Sequence, residues 1–156
     1  MGTTVRIANL ILAALAATGP MAHVLELPNK LTLDGPLWLA VQQQVYRGWG
    51  LVFGPVEILA LLTTLALTVV RRGSRVAFRP SLVATLAYAG MLAVFFVFNA
   101  PVNDALAGWT PATLPPDWPD YRLRWEIGHA LAAGLSIIAL VALAWGFWRE
   151  SMQAIT

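Results

Sequence analysis

The sequence predicts an all-α fold: an integral membrane four-helix up-down bundle with a short interfacial helix and an ordered Trp/Pro-rich outer loop. Three observations predict it. Hydrophobic residues make up 58% of the 156-residue chain and charged residues 12%, about half the charged share of an ordinary soluble domain. A single soluble domain of this length could not hide so much apolar surface, whereas lipid accepts it. The apolar residues are gathered into four runs, each long enough to cross a hydrocarbon core of about 30 Å. The basic residues fall between those runs, with Arg71, Arg72, Arg75 and Arg79 crowded into one short loop. A single membrane domain over residues 1–156 accounts for all three.

The first span is expected from about Val5 to Leu27. Arg6 before an apolar run and Ala16-Ala17 also fit a signal peptide, but His23 and Glu26 continue the same helical segment and favour a membrane span. Gly19-Pro20 predicts a kink, because proline lacks the backbone donor and crowds the preceding turn. Pro28 predicts the end of the helix. Asp34-Gly35-Pro36 then reads as a helix start, with Asp as cap and Pro in the first turn. Leu37 to Arg47 follows as a short amphipathic helix at the interface, where Trp38, Tyr46 and Trp49 suit the headgroup belt.

The second span, about 49–70, contains Gly54-Pro55 and one carboxylate, Glu57, about two turns inside. The arginine loop after it marks the cytoplasmic side by the positive-inside rule. The third span, about 81–100, with Pro80 placed for its first turn, ends in Asn99-Ala100-Pro101-Val102-Asn103-Asp104. The fourth is expected over about 125–148. Between them, Trp109 to Tyr121 is rich in proline and tryptophan and suits a lid over the bundle. Arg6 and Arg149 share the side of the arginine loop, and Lys30, Arg47, Arg122 and Arg124 the other. Both termini are therefore expected in the cytoplasm, with the chain in the plasma (inner) membrane. The formal charge of +2 excludes nucleic acid as an expected partner.

With this topology the intramembrane ionisable groups gather at one end. His23 and Glu26 close the first helix, Glu57 sits in the same half of the second, and Glu126 and His129 open the fourth. The inner halves hold almost only apolar residues, Ser and Thr. Glu126 and His129 are three apart and leave one face of a helix as neighbours. In antiparallel helices both glutamates become outermost, with both histidines one turn deeper. The chain has no cysteine, so a metal would rest on imidazole and carboxylate. His23, Glu26, Glu57, Glu126 and His129 are a ligand set suited to a single divalent iron, manganese or zinc ion. Against this stands a network of ordinary ion pairs, since Glu26 and Lys30, and Arg122 and Glu126, are each four apart. Glu57 has no basic residue within a turn or two and requires a partner from elsewhere.

The run Asn99-Ala-Pro-Val-Asn103-Asp104, then Trp109, Asp117-Trp118 and Arg122-Leu-Arg124-Trp125-Glu126-Ile-Gly-His129 resembles the anthrone-oxygenase-like family of four-helix membrane proteins over roughly residues 80–148. The first half of the chain matches it only loosely. The resemblance implies an oxygenase that converts anthrones to anthraquinones, with Asn99, Asn103, Arg122, Trp125, Glu126 and His129 forming the site. The expected function is thus a membrane oxidoreductase of oxygenase type acting on a lipophilic, aromatic small molecule. Glu126, His129, Arg122 and Asn103 are the expected catalytic residues, Arg122 and Arg124 orienting carboxylates or an anionic substrate. Without a metal, His129 and Glu126 would act as a base toward a phenolic carbon acid. The rival expectation is a non-catalytic subunit or binding protein packed in a larger membrane complex.

Overall fold

The computed structural model describes residues 3–153, and these form α-helices without strands. In chain order they are α1 (Thr3–Lys30), α2 (Gly35–Ala40) prolonged by a π-helical turn (Val41–Val45), α3 (Trp49–Val70), α4 (Arg75–Val94) running through a second π turn (Phe95–Asn99) into α5 (Ala100–Ala107), and α6 (Trp118–Gln153). Four segments are long and apolar enough to cross a membrane: α1, α3, the stretch Arg75–Ala107, and α6. The protein is an all-α integral membrane bundle. Its outward surface carries the expected apolar side chains, Leu51, Val70, Leu86 and Val141 among the most exposed.

Contacts fix the directions. Arg6 meets Ser151 while Lys30 meets Glu126, so α1 and α6 are antiparallel. Thr68 meets Thr85 and Arg71 meets Ser81, giving the same relation for α3 and α4. Each of α1 and α4 packs against both α3 and α6, so α3 and α6 lie on a diagonal. The core between them is built from small residues, Ala13, Ala16, Ala60, Ala84, Ala132 and Ala139, with Leu67, Tyr88, Met91, Leu143 and Phe147. Small side chains let membrane helices approach closely, which replaces the hydrophobic drive that lipid cannot supply.

Several expectations change. α1 does not stop at Pro28 but continues to Lys30. A proline so near the end interrupts little, and the extra turn carries Lys30 inward. The third and fourth spans are longer than expected, starting at Arg75 and Trp118. Pro80 lies inside α4 rather than in its first turn, where Gly146 of α6 packs on its ring: a Cβ at Gly146 would come within 2.8 Å of the Pro80 Cβ. Trp38 is no headgroup anchor. It is fully buried in a second core with Leu39, Val102, Leu106 and Trp125, beneath the lid residues Trp109, Leu114 and Trp118. The Asp34 carboxylate accepts from Leu37 N–H at 2.9 Å and starts α2 as expected. Gln43 then donates to the carbonyls of Leu106 and Trp109, at 2.8 and 2.9 Å, and ties this segment to the end of α5.

The arginine end also departs from the apolar picture. Asn9 donates to Thr63 at 3.1 Å, and Glu150 is bridged by Arg6 at 3.2 Å and Arg71 at 3.0 Å. Arg71 donates to Ser81 at 2.9 Å. These bonds join α1, α3, α4 and α6 at one level.

The Gly146 contact is backed by a rigid pyrrolidine ring, so overpacking there has no easy relief. Gly146→Ala should destabilise the bundle by about 1–3 kcal/mol. Gly134→Ala, on the same helix with nothing within 4 Å of its Cβ, should leave the melting temperature in detergent unchanged or slightly raised. Equal losses for the two would show that the Pro80 contact is not the constraint.

Candidate active site

At the end opposite the arginine loop, α1 presents His23, Glu26 and Lys30 on one face, at spacings of three and four. From α6, facing them, come Trp125, Glu126 and His129. Lys30 is 3% exposed and Glu126 4%. Lys30 Nζ lies 3.0 Å from Glu126 Oε1 and donates to Oε2 at 3.1 Å. It also stands 3.9 Å from Glu26 Oε2 and 4.7 Å from the centre of the Trp125 ring. One ammonium thus serves two carboxylates and an aromatic face, which offsets part of the cost of burying it.

Beside this pair is a box of rings. The His23 ring lies 4.1 Å from that of His129, 4.6 Å from both Trp125 and Tyr46, and 5.3 Å from Trp49, centre to centre. Trp125 packs on His129 at 4.1 Å, one turn along α6. The Tyr46 hydroxyl donates to Glu26 in a short hydrogen bond. Burial first, and then that bond, raise the Tyr46 pKa well above the usual phenol range, so it remains a donor. His23 Nδ1 is buried with no hydrogen-bond partner, 3.7 Å from Glu26 Oε2.

Trp125 is held by two asparagines. Asn99 donates to its carbonyl at 3.0 Å, and its indole N–H donates to Asn103 Oδ1 at 2.9 Å. Gly128 makes room for the first, since a Cβ there would lie 2.3 Å from Asn99 Oδ1. The π turn Phe95–Asn99 sets this register. Its wider winding places Asn99 against α6 and leaves the Val97 carbonyl to accept from Arg124.

A cavity of about 300 Å³ opens beside the box, between α1, α3, α4 and α6. His23, His129, Tyr46, Trp125 and Asn103 line its outer part. Phe53 and Glu57 of α3 carry it deeper. Ile58, Leu92, Phe95 and Phe96 also line it, and each is exposed on the apolar perimeter. The mouth therefore faces sideways, between α3 and α4, where lipid would lie. Glu57 has no hydrogen-bond or ion-pair partner among the described residues.

The structure brings His23, His129, Glu57 and Asn103 to one cavity, pairs Glu126 with Lys30, and sets Glu26 among Tyr46, His23 and Lys30. It also separates Glu57 from the imidazoles. Trp49 packs on His23, and Glu57 lies eight residues further along α3, about 12 Å of helical rise. Of the five expected metal ligands, His23, His129 and Glu57 line the cavity, Glu126 pairs with Lys30, and Glu26 accepts from Tyr46. Among the described residues no group of three or more His, Cys, Asp or Glu side chains is placed to hold a metal. Lys30 supplies the positive charge at Glu126. Arg122, expected to orient a carboxylate, instead donates to the carbonyls of Lys30 and Leu33, at 3.2 and 3.0 Å, and closes the end of α1. It also stacks over Trp118.

In the sequence Lys30 is a local partner of Glu26 and Tyr46 an interface anchor, whereas in the fold Lys30 pairs with Glu126 and Tyr46 lines the cavity. The available signal was position: Lys30 continues the His23–Glu26 face at spacings of seven and four. Comparison with family models, with characterised proteins and with solved structures finds no match to this chain.

Removing one partner of a buried ion pair leaves the other uncompensated. Lys30→Met should cost about 3–5 kcal/mol, and Lys30→Met with Glu126→Gln should recover much of that. Chemical or thermal unfolding in detergent measures both. A single variant as stable as the parent would show that the pair does not carry the site end.

Proposed function

We propose that the protein is a membrane oxidoreductase of oxygenase type, acting on a lipophilic aromatic carbon acid that enters from the bilayer. What carries this reading is the meeting of two imidazoles and an unpartnered carboxylate in an apolar cavity with a lipid-facing mouth. The likeness of Asn99 to His129 to the anthrone-oxygenase-like pattern supports the substrate class, an anthrone-type methylene flanked by aromatic rings. In the proposed reaction His129 removes a proton from that methylene. The resulting carbanion is oxidised by dioxygen, so that the methylene and one O2 become a carbonyl and one water. His23, in ring contact with His129, orients it. Asn103 holds the indole wall, and Glu57 receives a hydroxyl of the substrate at the deep end. Lys30, Glu126 and Arg122 act as positioning residues.

The test is turnover of an anthrone by protein purified without chelator, followed by quinone absorbance and oxygen uptake. His129→Ala should lower kcat by about 10²–10⁴-fold with the fold retained. Glu57→Gln should raise KM more than it lowers kcat. Activity that tracks bound iron, manganese or zinc would move the reading to a metal oxygenase. No oxygen uptake above the uncatalysed rate would leave the non-catalytic membrane subunit as the better account.

The proposed setting is the plasma (inner) membrane with both termini cytoplasmic. The chain has no cysteine, which permits a clean test at two exposed positions. Ser74→Cys should resist a membrane-impermeant thiol reagent in intact cells, and Thr113→Cys should react. The reverse pattern would place the cavity toward the cytoplasm.

A further inference from the structure

The other end of the bundle carries a second concavity, independent of the imidazole cavity. α4 and α6 cross closely where Gly146 lies on Pro80. Beside that crossing they leave a groove of about 450 Å³. Arg75 and Arg79 from the first turns of α4 and Arg149 from the last turns of α6 form its rim. Among the described residues none of these three guanidinium groups has a hydrogen bond or a carboxylate in ion-pairing reach. Arg6 and Arg71, at the same end, are by contrast taken up by Glu150. The floor is apolar: Val76, Val83, Ala142 and the exposed indole of Trp145.

Depth orders these groups. Arg79 lies one turn into α4 from Arg75, and Val83 one turn further; on α6, Ala142 lies a turn deeper than Trp145. The groove thus passes from a triple positive rim, through a tryptophan at the level of an interfacial belt, to an aliphatic floor facing hydrocarbon. A free phosphate would use the rim and leave the floor uncovered. A lipid covers both. Basic pockets between membrane helices are suited to anionic headgroups, each arginine near the surface favouring them by roughly fivefold in occupancy.

We propose that the Arg75–Arg79–Arg149 groove is a binding site for an anionic phospholipid, its phosphate at the three arginines and the start of its acyl chains along Val83, Ala142 and Trp145.

The experiment is native mass spectrometry of the intact protein released from detergent in the presence of phosphatidylglycerol or phosphatidylcholine with matched chains. Phosphatidylglycerol adducts should exceed phosphatidylcholine adducts by at least about tenfold. The combined variant Arg75→Gln, Arg79→Gln, Arg149→Gln should bring the two lipids to equal occupancy with little change in melting temperature. Arg72→Gln, in the same loop but off the groove, should keep the preference. Ala142→Phe, which fills the floor and leaves the rim, should also weaken lipid binding. Inorganic phosphate at millimolar concentration should not displace the lipid. Equal occupancy in the parent protein would overturn the proposal. So would an equal loss with Arg72→Gln, or full displacement by phosphate with no effect of Ala142→Phe, which would mark a simple anion site.

Discussion

The site end depends on a buried ion pair. Lys30 and Glu126 are almost inaccessible, and neither charge could remain in such surroundings alone. Their pairing constrains everything around them. α1 must run past Pro28 to bring the ammonium inward, and α6 must begin well before its hydrocarbon stretch to bring the carboxylate opposite. A lid must exclude water from both. Arg122 donates to the carbonyls of Lys30 and Leu33, at and just past the end of α1, and α2 with its π turn is held to α5 by Gln43. Trp125 is the hinge between these demands. Its ring covers Lys30, walls the cavity and belongs to the core under the lid.

The two ends are built differently. At the arginine end Glu150 gathers Arg6 and Arg71, and hydroxyl groups link neighbouring helices. Small residues then hold the helices close through the middle of the bundle. Toward the site end α3 presents Gly50 and Gly54, where a Cβ would meet nothing within 4 Å. Both glycines line the cavity. Gly19 works in the opposite sense: its bare backbone lets the Phe53 ring pack within 3.0 Å of where a Cβ would stand. α3 is thereby anchored to α1 just beneath the histidines, while its other side stays open toward α4.

The four spans were legible because hydrocarbon thickness imposes a length and a composition that a sequence displays directly. The clustering of polar groups at one end was legible for the same reason, given antiparallel helices. Partner choice was not. Glu26, Glu57, Glu126 and the histidines all lie in the right half, but helical phase and depth decide which of them meet. Lys30 was hidden by Pro28, a residue that ends most helices and here does not. Trp38 was misplaced because a tryptophan in an amphipathic segment suits a headgroup belt as well as a lid core, and only the packing of Trp118 decides between them. The π turn at Phe95–Asn99, which seats Asn99 on α6, leaves no periodicity signal in five residues.

His23 and His129 in the outer part of the cavity, with Glu57 deeper, are polar groups in an otherwise largely apolar space. A group at His23 and His129 and a group at Glu57 are reached together only by a molecule that extends along α3. The walls between them are rings and aliphatic side chains, so the extended part must be apolar. In the proposed reaction, a substrate dissolved in the bilayer would enter through the mouth on the perimeter without crossing the lid. The lateral gap between Ile58, Leu92, Phe95 and Phe96 is the side on which the cavity opens, and under the proposed function it would admit a lipophilic molecule with polar atoms at both ends.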